Sequence, residues 1–91
     1  MEKHLCTRQA YRMEHRDQMI LRKLGRNLKA ERARRDLTQE TVARASGMYT
    51  TQIARMERGE TDTGITKYLK VAWAIEMDPA LLFTGLTDRM P

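Results

Sequence analysis

The sequence predicts an all-α fold: five short helices behind an N-terminal extension. Three observations carry that expectation. Only two prolines and five glycines interrupt 91 residues, aromatics make up 5% of the chain, and β-branched runs are nearly absent. Apolar residues instead recur at helical spacing through most of its length. At 10.6 kDa the chain supports a single core. It is therefore expected to form one domain over residues 20–85, with residues 1–19 as an arm or helical extension and residues 86–91 as a tail.

The elements follow in order. Leu21, Leu24, Leu28 and Ala33 keep helical spacing from Ile20, with Asp17 as N-cap, in a first helix that should end near Asp36. Residues 1–19 lack proline and glycine, but Leu5, Ala10, Tyr11 and Met13 show no helical period, which leaves arm and helix both open. Thr38 caps a two-turn second helix that reaches about Ala45 and buries Val42 and Ala43. Ser46-Gly47-Met48 ends it, with Gly47 suited to a left-handed turn. A third helix runs from about Thr50 to Arg58 and stops at Gly59. After a polar connector, Ile65, Tyr68, Leu69, Ala72 and Ile75 form the buried stripe of a fourth helix. Asp78-Pro79 opens a short fifth helix through Phe83, ended by Gly85.

Composition excludes several classes. The longest apolar run is residues 71–75, far short of the roughly 20 residues of a bilayer span, and the N-terminus Met-Glu-Lys-His-Leu-Cys has no apolar stretch of a signal peptide. No membrane association is expected. The single cysteine, Cys6, suits a reducing compartment, so the expected location is cytoplasmic. His4, Cys6 and His15 fall short of a zinc ligand set and of an oriented nucleophile pair. Neither metal, cofactor nor catalysis is expected.

Charge is concentrated. Net charge is +5, and residues 21–35 hold seven basic side chains against one acidic, while the remainder is nearly balanced. Such a stretch serves either a polyanion or solubility. In the third helix, about 100° per residue places Thr50, Thr51, Ala54, Arg55 and Arg58 within an arc of roughly 140°, opposite Tyr49, Ile53 and Met56. Arginine can pair bidentately with guanine and threonine can meet several base edges, so this face is able to read a major groove; a solvated amphipathic helix has the same pattern.

Leu37-Thr38-Gln39-Glu40-Thr41-Val42-Ala43, Ser46-Gly47 and Ile53-Ala54-Arg55-Met56-Glu57-Arg58-Gly59 together resemble the Cro and phage-repressor (XRE-type) helix-turn-helix family. The resemblance spans roughly residues 20–84. It implies a compact repressor-like domain in which the second of the paired helices enters the major groove. It also assigns roles. Thr50, Thr51 and Arg55 fall on base-reading positions, and Gln39 falls where a glutamine bonds phosphate. Arg32 and Glu57 match an orienting ion pair. Apart from the resemblance, Arg58 and, if the first helix faces the DNA backbone, Arg26, Arg34 and Arg35 of the basic stretch are the further phosphate candidates. Three departures stand out. Tyr49 occupies a usual serine N-cap, which would shift the cap to Thr50 or Thr51; Thr41 leaves the capping box of Thr38 incomplete; and Glu60 and Asp62 are acidic in a loop that is basic in many relatives.

The implied function is a DNA-binding transcriptional regulator, with repression the expected mode and double-stranded DNA the partner. Trp73, Leu81, Leu82, Phe83 and Leu86 exceed what a small helical core clearly needs, and they are expected to form a homodimer interface, with simple core packing as the other reading. The alternative is an antitoxin that binds operator DNA and neutralises a toxin, with residues 1–19 as the candidate segment.

Overall fold

The computed structural model describes residues 2–86, with side chains from residue 15 onward. Four α-helices follow one another: α1 (Glu2–Arg34), α2 (Gln39–Ser46), α3 (Thr50–Arg58) and α4 (Ile65–Ala74). A 3-10 helix, Pro79–Phe83, closes the chain, and no strand occurs among the described residues. The expected fifth α-helix is thus one 3-10 turn. Asp78 caps it by accepting from the Ala80 N–H at 3.0 Å.

Of the two readings open for residues 1–19, arm and helix, the first helix takes the second. It does not begin near Ile20 but runs unbroken from Glu2, so the division at residues 19 and 20 falls inside it and Asp17 is no cap. Extending a formed helix adds one hydrogen bond per residue fixed, and no proline or glycine stops this one N-terminally. At about 1.5 Å per residue it is about 50 Å long, which accounts for the molecule's longest extent of 51 Å. Its C-terminus comes at Arg34, with Asp36 in the left-handed region at φ 55°.

Leu24 and Leu28 of α1 pack with Val42, Ala43, Ile53, Met56, Tyr68, Val71, Ala72, Ile75, Met77 and Leu82 in one core. Leu37, Met48 and Leu86 lie partly buried against it. Two expectations change here. Ile65, expected in the buried stripe, is exposed at the first turn of α4. Leu82, expected at a dimer interface, is fully buried, because the 3-10 helix folds back on α1 and turns this side chain inward. Asn27 fixes that return by donating to the Leu82 and Thr84 carbonyls at 2.7 and 2.8 Å, and Lys23 donates to the Gly85 carbonyl at 2.9 Å.

Two glycines set the angles that matter. Gly47 joins α2 to α3 at φ 69°, and its N–H satisfies the end of α2. Gly25 lies where α1 crosses α3; a Cβ there would stand 2.2 Å from the Met56 carbonyl oxygen and 2.6 Å from that of Glu57. No side chain fits at that distance without moving one of the helices.

Candidate nucleic-acid interface

The end of α3 is tied to both preceding helices through one carboxylate. Glu57, buried although ionisable, accepts from Arg32 Nε at 2.6 Å and Nη2 at 3.1 Å, and from Gln39 Nε2 at 3.0 Å. Arg32 also donates to the Leu37 carbonyl at 2.8 Å, which draws in the connection between α1 and α2. The hydrogen bond to Glu57 holds the Arg32 guanidinium above its ordinary pKa, against the opposing pull of burial. This cluster fixes α3 in rotation, because Ile53 and Met56 are already sunk in the core on the same side.

That rotation decides which side chains face outward. Thr51, Arg55 and Arg58 are exposed, and Thr50 is half-buried beside them. The cap of α3 is Tyr49 and not a threonine: the Tyr49 N–H donates to Gln52 Oε1 at 2.9 Å, while its ring is exposed. The hydroxyls of Thr50 and Thr51 are therefore not taken up in capping. Thr38 caps α2 as expected, accepting from the Thr41 N–H at 3.0 Å, and Thr41 adds a hydroxyl contact to Thr38 at 2.8 Å in place of the missing glutamate.

The phosphate candidates separate into groups. Gln39 sits at the start of α2 with its amide on Glu57. Arg26 is exposed on α1, one residue beyond the crossing at Gly25, with exposed Arg22 and Lys29 on the same flank. Arg58 forms a forked pair with Glu60, Nε to Oε2 at 2.7 Å and Nη2 to Oε1 at 3.1 Å. That pair raises the arginine and lowers the carboxyl from their ordinary values, chiefly by hydrogen bonding.

Arg34 and Arg35 lie elsewhere. Both bind the buried Glu31, at 3.0 and 2.8 Å, and Arg34 lines a groove with Leu81 and Thr84, while Arg35 points toward the Glu76 carbonyl after α4. The structure does not bring these two to the exposed side of α3. Sequence reasoning missed Glu31, although glutamate three and four residues before two arginines on a helix is itself a pairing signal. It also missed Gln52, the third residue after the cap, where a capping-box partner belongs.

A family model for the helix-turn-helix domain matches residues 23–82. The chain belongs to the helix-turn-helix domain family. Among solved structures, it is similar to the restriction-modification controller protein C.AhdI from Aeromonas hydrophila, with 35% identity, a TM-score of 0.66, and coverage of 69% of this chain and 96% of that one. It is also similar to an HTH_3 family transcriptional regulator from Vibrio cholerae, with 26% identity and a TM-score of 0.71 over 76% of this chain and 39% of that one. No curated protein matches at a significant level. These similarities agree with the XRE type of helix-turn-helix read from the sequence. In this helix-turn-helix chain α2 and α3 are the motif, and α3 holds the position of the helix that such motifs present to DNA.

His4 and Cys6 lie outside the described side chains, as residues 87–91 lie outside the described residues. No helix among the described residues is long and apolar enough to cross a membrane.

Proposed function

We propose that this helix-turn-helix protein is a sequence-specific DNA-binding transcriptional regulator, non-enzymatic and cytoplasmic, that reads the major groove with α3 as a homodimer. The observation that carries the reading is the clamp of Arg32 and Gln39 on Glu57, which holds α3 with Thr50, Thr51 and Arg55 on its open side. Arg55 suits a guanine edge, the threonines suit thymine methyl or mixed edges, and Gln39, Arg26 and Arg58 supply phosphate contacts. The descriptions of C.AhdI as a controller protein and of the Vibrio cholerae protein as a transcriptional regulator support the regulatory part. Repression is the simpler mode, since it needs only that the operator be occupied.

Dimerisation is proposed through Trp73, Leu81 and Phe83, which are 65%, 36% and 46% exposed, with Leu86 at their edge. One recognition helix covers about four base pairs, and a two-fold pair places two of them on successive major grooves about 34 Å apart. Titration of duplex DNA at several salt concentrations tests the assignment of roles. Arg55→Ala should cost about 1 to 3 kcal/mol and relax preference at one base pair. Arg26→Ala should weaken all duplexes alike and flatten the salt dependence. Unchanged affinity and preference in Arg55→Ala would refute the reading face.

A second reading adds a protein partner. α1 continues N-terminally well beyond the family match at residues 23–82, and a toxin bound along that extension would make the chain an antitoxin. Co-expression with the product of a neighbouring small gene, followed by purification through this chain, separates the two readings.

A further inference from the structure

We propose that Glu60 competes with DNA phosphate for the guanidinium of Arg58, so that one cation of the reading helix joins the nucleic acid only after an internal pair is broken. The inference rests on the DNA-binding reading above. Its basis is the position and shape of the pair. Arg58 is the last residue of α3, and Glu60 follows it across the Gly59 turn. The two N–H groups that reach the carboxylate, Nε and Nη2, form the fork that arginine offers to a phosphate. Glu60 thus occupies Arg58 as a phosphate would.

Both side chains are more than half exposed, so the pair stands open to an incoming strand. Its setting adds weight. Glu60 also lies within the field of Arg55, the arginine proposed to read bases, and the same loop carries Asp62. Positions that could have contributed cations contribute carboxylates. An exposed ion pair is weak, which makes the effect graded: phosphate displaces the carboxylate but loses part of the gain, and Glu60 then stands uncompensated beside the backbone. The consequence is a lower affinity for every duplex and one phosphate contact partly withheld from the salt response.

The test is a binding cycle on the full chain with wild type, Glu60→Gln, Arg58→Gln and the double variant. Each is titrated with a random-sequence 20-base-pair duplex over a series of salt concentrations. Glu60→Gln should bind about two- to fivefold tighter, as expected for freeing one exposed ion pair. Its dependence of log affinity on log salt should steepen by up to about 0.9, the value of one phosphate contact. In the Arg58→Gln background the same change should give a clearly smaller gain, since only the repulsion between Glu60 and the backbone is then relieved. An equal gain in both backgrounds overturns the proposal, because Glu60 would then act as a lone background charge. No gain in either also overturns it, because Arg58 would not meet phosphate. Failure of the wild type to bind any duplex at low salt is a different result, which removes the DNA-binding reading and this inference with it. Both residues are exposed and neither contributes to the core, so the variants are expected to fold; thermal unfolding of each checks this.

Discussion

Arg32 Nε lies 2.6 Å from Glu57 Oε2, joining the first helix to the end of the third across the α2 start. The contact is enclosed, with 15% and 3% of the two side chains exposed. Arg32→Ala would leave Glu57 buried with only the neutral Gln39 amide, at a cost of about 3 kcal/mol, and should loosen α3 and weaken DNA binding together. Removing both charges, as in Arg32→Met with Glu57→Gln, should recover part of the loss. The raised pKa of Arg32 keeps its contribution intact below the unfolded value, and it is lost only as pH rises through the folded one, beyond the neutral range. Urea unfolding of the double-mutant cycle measures the pair; zero coupling would contradict it.

Gly25 gives a test in which two expectations differ in sign. On helix propensity alone, Gly25→Ala should stabilise by about 1 kcal/mol. The carbonyl oxygens of Met56 and Glu57 leave no room for the methyl group, so a loss of about 3 kcal/mol or more is expected instead. Gly47→Ala meets open space and pays only for its left-handed backbone, about 1 kcal/mol. Thermal unfolding of the two variants should rank Gly25→Ala as the more damaging.

The difference between those glycines indicates what the sequence makes legible. Gly47 follows a capped apolar helix and announces a turn through local chemistry, as do Thr38 and the glycine after Arg58. Gly25 matters because of carbonyls some thirty residues away, and nothing in its neighbours reveals them. The Arg32 and Glu57 pair was legible through family resemblance and not through spacing, since the partners are 25 residues apart. The length of α1 was hidden because a helix can form without an apolar period. Leu82 and Phe83 are adjacent and equally apolar, and only the direction in which the 3-10 helix returns distinguishes core from surface.

Tyr68 ties stability to alkaline pH. Burial first, and the Asp62 carboxylate second, push its phenol above the ordinary 10.0, while the Thr63 hydroxyl pulls the other way. The two oxygens are buried, and neither has a partner within normal hydrogen-bond geometry. A raised folded pKa means that stability is full below about pH 10 and falls as pH rises through the folded value. Tyr68→Phe should be neutral or slightly stabilising at pH 7 and should flatten the decline above pH 10, as followed by urea midpoints at a series of pH values.

The surface of α4 and the 3-10 helix separates assembly from folding. Phe83→Asp should give a folded monomer that keeps non-specific DNA affinity and loses operator affinity. Leu82→Ala should instead destabilise the monomer by about 2 to 5 kcal/mol, as a core truncation does. Light scattering at tens of micromolar, read beside thermal unfolding, distinguishes the two outcomes, and a monomeric wild type both free and on DNA would refute the dimer.

Selection of bound duplexes from a random pool, with the mass of the resulting complex, shows whether the chain reads sequence and does so as a two-fold pair. A two-fold helix-turn-helix reader should enrich a palindrome whose half-sites lie about 10 base pairs apart, centre to centre, with two chains per duplex. A guanine in each half-site should lose its preference when the selection is repeated with Arg55→Ala. A pool that stays random after repeated rounds, although the protein is folded, would show that α3 reads no sequence.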